Sequence, residues 1–223
     1  MTVPVSWPDV LVRAQALAGG ASRRILGIAG APGAGKSTLA RRLVDAVGAT
    51  AVLIGMDGYH LAQAELERLG RAERKGAPDT FDAAGYVALL RRLRTSGAGT
   101  IYAPEFRRAI EEPIAGAVAV PPGVSLVVTD GNYLLLDSEP WSAIRALLDE
   151  VWFLAPDEDT RRAWLTSRHC RYGRTPAQAA ERTTGSDERN ARLVAPTARR
   201  ADLILDPTQW LAPDMETHGG FSR

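Results

Sequence analysis

A glycine-rich segment, GAPGAGKS, occupies residues 30–37 and contains one of only two lysines in the chain. Its spacing matches G-x-x-x-x-G-K-[ST], in which backbone amides surround phosphate oxygens, the lysine approaches the β- and γ-phosphates and the hydroxyl binds Mg²⁺. An apolar run precedes the segment and a helical pattern follows it, which is the context that this motif requires. The residues expected to contact a nucleotide are Gly30, Ala31, Pro32, Gly33, Ala34, Gly35, Lys36, Ser37 and Thr38.

The sequence contains no N-K-x-D motif for reading guanine, since the other lysine, Lys75, lies in RKGAPD. ATP is therefore favoured over GTP. A phosphate loop alone does not separate kinases from motors, switches or transporter ATPases. The alternative interpretation is a glycine-rich turn between a strand and a helix that binds no ligand.

Two aspartates follow apolar runs that are typical of buried strands. Asp57 comes directly after AVLIGM (51–56), and Asp130 ends SLVVTD (125–130). Ligands of a parallel sheet bind beyond the carboxyl ends of its strands, so both carboxylates are expected near the phosphate loop. Asp57 can then accept or orient the proton of an acceptor hydroxyl, and Asp130 can hold Mg²⁺ together with Ser37. The alternatives are a helix cap at Asp57 and an ordinary turn residue at Asp130.

Basic residues cluster in the segment TRRAWLTSRHCRYGRT, residues 160–175. Arginines on a mobile lid can neutralise charge on a phosphoryl group during its transfer, whereas the alternative is a solvated basic helix face. The five arginines are Arg161, Arg162, Arg168, Arg171 and Arg174.

A second polar segment, YAPEFRRAIEEP at 102–113, offers groups for recognising an acceptor. Glu105 can accept hydrogen bonds from sugar hydroxyls, and Arg107 or Arg108 can hold a carboxylate or phosphate. Lys75 can contact the acceptor or a phosphate. The alternatives are a surface hairpin and a surface lysine.

Periodicity along the chain predicts short apolar strands that alternate with amphipathic helices. This order indicates a parallel sheet with helices on both faces. Asp157, Thr175 and Asp187 are expected to cap the last three helices. The predicted helices cover 8–18, 60–70, 82–95 and 140–150, and one follows the phosphate loop up to Gly48; the predicted strands cover 24–30, 51–56, 125–130, 151–155 and 201–206, with shorter β segments at 99–106 and 116–120.

The composition is that of an ordinary globular protein, with 223 residues, 45% hydrophobic and 24% charged. The net charge of +1 indicates no nucleic-acid or membrane partner. A single cysteine, Cys170, cannot form a disulfide within the chain, which fits a reducing compartment. We expect a cytoplasmic protein without a signal peptide, as a monomer or homodimer.

Three segments together resemble the phosphoribulokinase/uridine kinase superfamily, which includes bacterial pantothenate kinases. They are MDGYH at 56–60, LGRAERKGAPDTFD at 69–82 and SLVVTDGNYLLL at 125–136. The resemblance runs from residue 24 to residue 206. Within the superfamily, the pattern is most similar to small bacterial proteins of the nucleoside/nucleotide kinase-like and fructose-transport kinase-like branch.

The resemblance implies an α/β fold of the P-loop NTPase type, a three-layer α/β/α sandwich with a central parallel sheet. It implies one kinase domain over 1–223, with a small substrate-side insertion at 58–122 and an arginine-bearing lid at 157–190. Residues 207–223 are expected to form a tail.

The resemblance also implies roles for individual residues. Asp57 would be the catalytic base and would act with Lys36, and Arg168 and Arg174 would be the lid arginines. Uridine and pantothenate kinases carry a tyrosine and a histidine near residues 102–113, and this chain has no histidine there. The residues expected to contact the acceptor are Asp57, Tyr59, His60, Lys75, Glu105, Arg107 and Arg108.

These features predict a kinase that uses ATP and Mg²⁺ to phosphorylate a hydroxyl of a small metabolite. A nucleoside, a sugar and a pantothenate-like alcohol all remain possible acceptors. The alternative function is a P-loop ATPase with a regulatory or binding role and no small-molecule acceptor. Asp57 and the predicted insertion favour the kinase, because an ATPase without an acceptor needs neither.

Overall fold

The computed structural model describes residues 5–95 and 99–211. Helices and strands alternate along most of this length, as the periodicity predicts. In chain order they are α1 (Trp7–Ala18), β1 (Arg24–Gly30), α2 (Lys36–Val47), β2 (Ala51–Gly55), α3 (Gln63–Arg68), α4 (Ala83–Arg94), β3 (Ile101–Arg107), β4 (Glu112–Val120), β5 (Leu126–Gly131), β6 (Glu150–Leu154), α5 (Glu158–Arg171), α6 (Pro176–Thr184), α7 (Ser186–Val194) and β7 (Leu203–Leu205).

Five strands form a parallel sheet in the order β2-β5-β1-β6-β7. The central strand, β1, pairs with β5 so that Ile28 lies beside Asp130. β2 pairs with the other side of β5, which places Gly55 beside the same aspartate. The carboxyl ends of β1, β2 and β5 therefore meet at one edge of the sheet, where ligands of open α/β sheets bind.

Apolar side chains cover both faces of this sheet. In β1, Leu26 and Ile28 pack with α1 and α2, whereas Ile25 and Ala29 pack with α4 on the opposite face. The alternation follows from the two-residue period of a strand. Burial of both faces against helices gives the predicted three-layer α/β/α architecture.

The predicted insertion, 58–122, contributes a core helix and a hairpin. Helix α4 packs on the sheet, and the Tyr86 hydroxyl lies 2.5 Å from the Thr129 hydroxyl of β5. Strands β3 and β4 form a separate antiparallel pair. A Cβ on Gly58 would lie only 2.5 Å from the Pro104 carbonyl oxygen, so glycine lets this hairpin approach the turn that follows β2.

Helices α5, α6 and α7 form the region predicted as a lid. Asp157 caps α5 by accepting the Thr160 amide, as predicted. Thr175 caps α6 by accepting the Gln178 amide, and the Gln178 side-chain oxygen accepts the Thr175 amide, which completes a capping box.

The starts of α3 and α7 differ from the sequence-based predictions in ways that bear on the site. Helix α3 begins at Gln63 rather than at residue 60, because His60 is extended and forms a β-bridge with Phe81. Asp187 does not cap α7, which starts one residue earlier at Ser186; its carboxylate bonds to His169 at 2.7 Å instead.

The segment 140–150 is not a continuous helix. It forms two short 3₁₀ turns, Trp141–Ala143 and Arg145–Leu147, and Leu148 is already extended. Leaving helical geometry there allows Asp149 to accept the Ile25 amide at 2.8 Å, at the start of β6.

A buried arginine, Arg161, joins the lid region to the phosphate loop. Its guanidinium donates to the Pro32 carbonyl oxygen at 2.9 Å and to Glu188 of α7 at 2.9 Å. The Arg161 side chain is only 2% exposed. The contact therefore links three segments that are far apart in sequence.

Replacement of Arg161 by methionine is expected to destabilise the protein. The change removes the hydrogen bond to the Pro32 carbonyl oxygen and one ion pair of the mostly buried Glu188, which lowers the free energy of unfolding by about 2–4 kcal/mol. For a chain of this size that corresponds to a melting temperature lower by about 5–10 °C.

Thermal unfolding of Arg161→Met and Arg162→Met provides the measurement and its control. Arg162 pairs with the same Glu188 but its side chain is 44% exposed, so its loss is expected to shift the melting temperature by less than about 2 °C. Equal shifts for the two variants would contradict the anchoring role of Arg161.

Candidate active site

The phosphate loop is shaped by glycines in left-handed conformations. Gly33 and Gly35 have φ of +84° and +88°, which residues with a Cβ rarely adopt. A Cβ on Gly33 would also lie 2.7 Å from the Arg161 carbonyl oxygen, and one on Gly35 would lie 2.6 Å from Leu211. The absence of a Cβ at these positions therefore lets the loop pack against α5 and Leu211, and it also leaves room for a phosphate group to approach the backbone.

Helix α2 begins directly at Lys36, so the amides of its first turn have no intrahelical acceptor. Such amides, together with the positive end of the helix dipole, form a site for phosphate. The Lys36 ammonium donates to the Ala31 carbonyl oxygen at 2.8 Å, across the loop. Burial lowers the pKa of Lys36 to about 8, and the nearby Asp130 opposes this shift.

Ser37 and Asp130 place two oxygen ligands side by side at the end of β5. The Ser37 hydroxyl donates to the Asp130 carboxylate at 2.5 Å. Burial raises the pKa of Asp130, and the hydrogen bond from Ser37 opposes the increase. A hydroxyl and a carboxylate next to a phosphate loop are the oxygen donors that Mg²⁺ prefers, so these residues fit the predicted metal site.

Asp57 lies in the 3₁₀ turn Met56–Tyr59, directly after β2. Its carboxylate caps neither this turn nor α3, so the capping alternative does not account for it. Instead it accepts a hydrogen bond from Arg108 at 3.1 Å and lies 3.9 Å from the His60 ring. Burial raises the pKa of Asp57, but His60, Arg108, Arg168 and Lys36 together lower it by more, so the net pKa is below its ordinary value.

The neighbours of Asp57 in MDGYH point to different places. His60 lines the site and stacks against Phe81 and Phe106, with ring centroids 4.0 and 4.8 Å apart. Burial lowers the pKa of His60, and Asp57 opposes this shift. Tyr59 was predicted to contact the acceptor, but its ring packs against Tyr86 in the core, 5.2 Å away between centroids. The 3₁₀ turn ends at Tyr59 and the backbone becomes extended at His60, so these two side chains leave the turn in different directions.

Two clefts open at this edge of the sheet. The lid-side cleft, about 570 Å³, reaches from the phosphate loop towards Lys75, Arg174 and α6. The hairpin-side cleft, about 550 Å³, reaches towards Glu105 and Arg107. The residues that line both clefts are Lys36, Ser37, Asp57, Phe106, Arg108, Asp130, Arg168 and Tyr172.

The predicted lid arginines separate into three groups. Arg168 lines both clefts, Arg174 lines the lid-side cleft and Arg171 lines the hairpin-side cleft. Arg161 is buried beneath the phosphate loop, and Arg162 pairs with Glu188. The helical spacing places 161, 168 and 171 on similar faces, but the loop covers the first of these positions.

Several residues that line the lid-side cleft were not singled out in the sequence. Arg182 donates to the Lys75 carbonyl oxygen at 2.7 Å, and Asn190 donates to that of Gly76 at 3.2 Å. Behind the cleft, the buried Tyr133 hydroxyl also donates to the Gly76 carbonyl oxygen, at 2.5 Å. These contacts join residues more than 50 positions apart, so no local pattern identifies them.

The fold and the site define a nucleotide-binding P-loop kinase. The Phosphoribulokinase / Uridine kinase family profile matches residues 25–210, and the chain belongs to that family. Membership and the relatives below indicate an ATP-dependent kinase, and the family implies the use of ATP and Mg²⁺.

Similar proteins cover most of the chain. A candidate uridine kinase of Schizosaccharomyces pombe is 34% identical over 211 residues, which are 90% of each chain. The ATP-dependent kinase-like protein notR' of Aspergillus versicolor is 41% identical over 145 residues, 61% of this chain and 84% of that protein. The crystal structure of a candidate fructose transport system kinase from Silicibacter sp. TM1040 matches with a TM-score of 0.78 and 34% identity, covering 87% of this chain and 95% of that one.

Within residues 5–95 and 99–211, no helix combines the length and the apolar character that crossing a bilayer requires.

Proposed function

We propose that the protein transfers the γ-phosphoryl group of ATP to a hydroxyl of a small metabolite. The position of Asp57 carries this proposal. Its carboxylate lies where the two clefts meet, beside Lys36 and Asp130, and 40% of its side-chain surface is open to solvent. A carboxylate that caps no helix and faces an open cleft next to a phosphate loop is suited to an acceptor hydroxyl.

In this proposal, different residues bind the phosphates, hold the metal ion and accept the proton. Lys36 and the amides of the phosphate loop bind the β- and γ-phosphates and offset their charge. Ser37 and Asp130 would hold Mg²⁺, which supplies further charge neutralisation at the phosphates when bound. Asp57, held by Arg108, orients the acceptor hydroxyl and takes its proton as the phosphoryl group is transferred.

The lid residues act when the site closes. Arg168 and Arg174 line the lid-side cleft from the end of α5 and the segment after it, where positive charge stabilises the transferring phosphoryl group. Closure also excludes water, which would otherwise compete with the acceptor hydroxyl.

An ADP-release assay across hydroxylated metabolites tests this function. The panel contains nucleosides, sugars, sugar phosphates, hydroxy acids and pantothenate, each with Mg²⁺ and ATP. We expect at least one compound to raise ADP release by about 10-fold or more over the rate without acceptor, with mass spectrometry showing the phosphorylated product. ATP hydrolysis that no compound stimulates would support the ATPase alternative instead.

A further inference from the structure

The lid-side cleft contains more positive than negative side chains. Within residues 5–95 and 99–211, its lining comprises six lysine or arginine side chains and four carboxylates. Two of the carboxylates, Asp57 and Asp130, belong to the proposed transfer site, and Asp187 bonds to His169. The remaining one is Glu111. With Asp187 bonded to His169, the part of the cleft away from the phosphate loop has more positive than negative side chains. Its cations are Lys75, Arg174 and Arg182.

Lys75 and Arg182 form the centre of this surplus. The Lys75 ammonium donates to the Gln63 side-chain oxygen at 3.2 Å and to the Glu111 carbonyl oxygen at 2.7 Å, both of them neutral acceptors. The Arg182 guanidinium donates to the Lys75 carbonyl oxygen at 2.7 Å. Among residues 5–95 and 99–211, neither cation has a carboxylate oxygen within 4.0 Å.

Arginines elsewhere in the described chain are of two kinds. Arg13, Arg24 and Arg145 each form an ion pair with a carboxylate at 2.7–2.8 Å, whereas Arg23, Arg42 and Arg200 donate to backbone carbonyl oxygens but line neither cleft. Two neighbouring cations that bond only to neutral oxygens in a cleft retain hydrogen-bond donors and an unbalanced charge. A bound anion would satisfy both.

The aromatic ring of Phe106 connects this pair to the proposed base. The Lys75 ammonium lies 5.6 Å from the ring centroid and the Arg108 guanidinium lies 5.8 Å from it. Arg108 in turn bonds to Asp57. A small molecule over this ring is therefore within reach of Lys75 at one end and of Asp57 at the other.

We propose that the phosphate acceptor is itself an anion, a small hydroxylated molecule with a carboxylate or phosphate group that binds Lys75 and Arg182. This inference rests on the proposed kinase function and specifies its substrate class. Lys75 supplies a compact point charge and Arg182 a planar fork of donors, and both suit acidic oxygens. Neutral nucleosides and free sugars would leave the two cations without a counter-charge.

Matched pairs of acceptors test the proposal. ADP release is measured with D-ribose 5-phosphate against D-ribose, and with D-gluconate against the open-chain polyol D-glucitol, so that the members of each pair differ mainly in the acidic group. We expect the anionic member of at least one pair to stimulate turnover more than its neutral partner. The two pairs also distinguish a phosphate from a carboxylate.

Substitutions then connect the preference to the two residues. Lys75→Gln and Arg182→Gln are each expected to raise KM for the anionic acceptor by about 10–100-fold, the value of a hydrogen bond to a charged group. The same variants should leave KM for ATP within about 2-fold. Arg189→Gln, an exposed arginine on α7 outside both clefts, is the control and should behave as the wild type.

If none of the four compounds stimulates turnover, their binding is measured by thermal shift with a non-hydrolysable ATP analogue present. Stabilisation by the anionic members that is lost in Lys75→Gln supports the proposal. Equal responses to charged and neutral members, or an anion response unaffected by both variants, would overturn it. Efficient phosphorylation of neutral acceptors alone would also overturn it while leaving the kinase function intact, so the two proposals fail separately.

Discussion

Replacement of Lys36 by alanine is expected to lower the rate of ATP turnover by about 10³-fold or more while the protein stays folded. Loss of one preorganised charge at a transferring phosphoryl group is worth this much in comparable sites. Among residues 5–95 and 99–211 the ammonium hydrogen-bonds only to the Ala31 carbonyl oxygen of its own loop, and the buried Asp130 keeps its hydrogen bond from Ser37 when the ammonium is removed, so the variant is expected to fold. Steady-state ADP release and circular dichroism of the variant provide the measurement.

The pKa of Lys36 adds a pH dependence to this prediction. Burial lowers the pKa to about 8, so the ammonium loses its proton as the pH rises through that value in the free enzyme. Bound phosphate favours the charged form. The affinity for ATP is therefore expected to fall between pH 7 and pH 9, and titration calorimetry with Lys36→Met should show a weaker dependence. Wild-type turnover in folded Lys36→Ala would contradict the phosphate-loop assignment.

Replacement of Asp57 by asparagine is expected to lower kcat for phosphoryl transfer by about 10²–10⁴-fold, the usual contribution of a positioned base. Asparagine keeps the size of the side chain and can still accept a hydrogen bond from Arg108. Binding of ATP, measured by calorimetry, should change little, because Asp57 approaches the nucleotide only near the γ-phosphate. The lowered pKa keeps the carboxylate ionised at neutral pH, so activity should show no loss attributable to Asp57 until the pH falls below the ordinary range of an aspartate.

Asp79→Asn is the matched control for Asp57→Asn. Asp79 lies in the predicted insertion that follows Asp57 and also pairs with an arginine, Arg74, at 2.5 Å, but it lines neither cleft. We expect this variant to retain wild-type kcat. A near-normal kcat for Asp57→Asn with a verified acceptor would exclude the proposed base, whatever the melting temperature.

The sequence predicts best where chemistry and a strand end coincide. The phosphate loop GAPGAGKS and the two aspartates can be identified from local patterns, because each follows an apolar run. The parallel pairing of β1, β2 and β5 then brings their side chains to one edge of the sheet. The helices that cover the sheet are also predictable, because their apolar periodicity is a local pattern. The family resemblance added the lid, whose position the structure describes but whose roles remain proposals.

The sequence predicts least where a contact depends on distant segments. Tyr59 and His60 are adjacent, yet one enters the core and the other the cleft, because the turn after β2 is 3₁₀ and then extended. The pairing of Arg182 with the Lys75 carbonyl spans 107 positions. In the segment 140–150, apolar spacing favoured a helix, but the chain forms two 3₁₀ turns and then extends, so that the Asp149 carboxylate accepts the Ile25 amide of β1.

The contact between α5 and the phosphate loop determines where the lid can bend. Gly33 is packed against Arg161 and Leu165, so the first two turns of α5 cannot move away without opening the loop. For the lid closure proposed above, the hinge is therefore expected beyond Leu165. Arg161 would then belong to a fixed base that keeps the shape of the loop between turnovers, and Arg168 and Arg174 would belong to the part that moves. Entry and exit of ligands would proceed with the phosphate site already assembled.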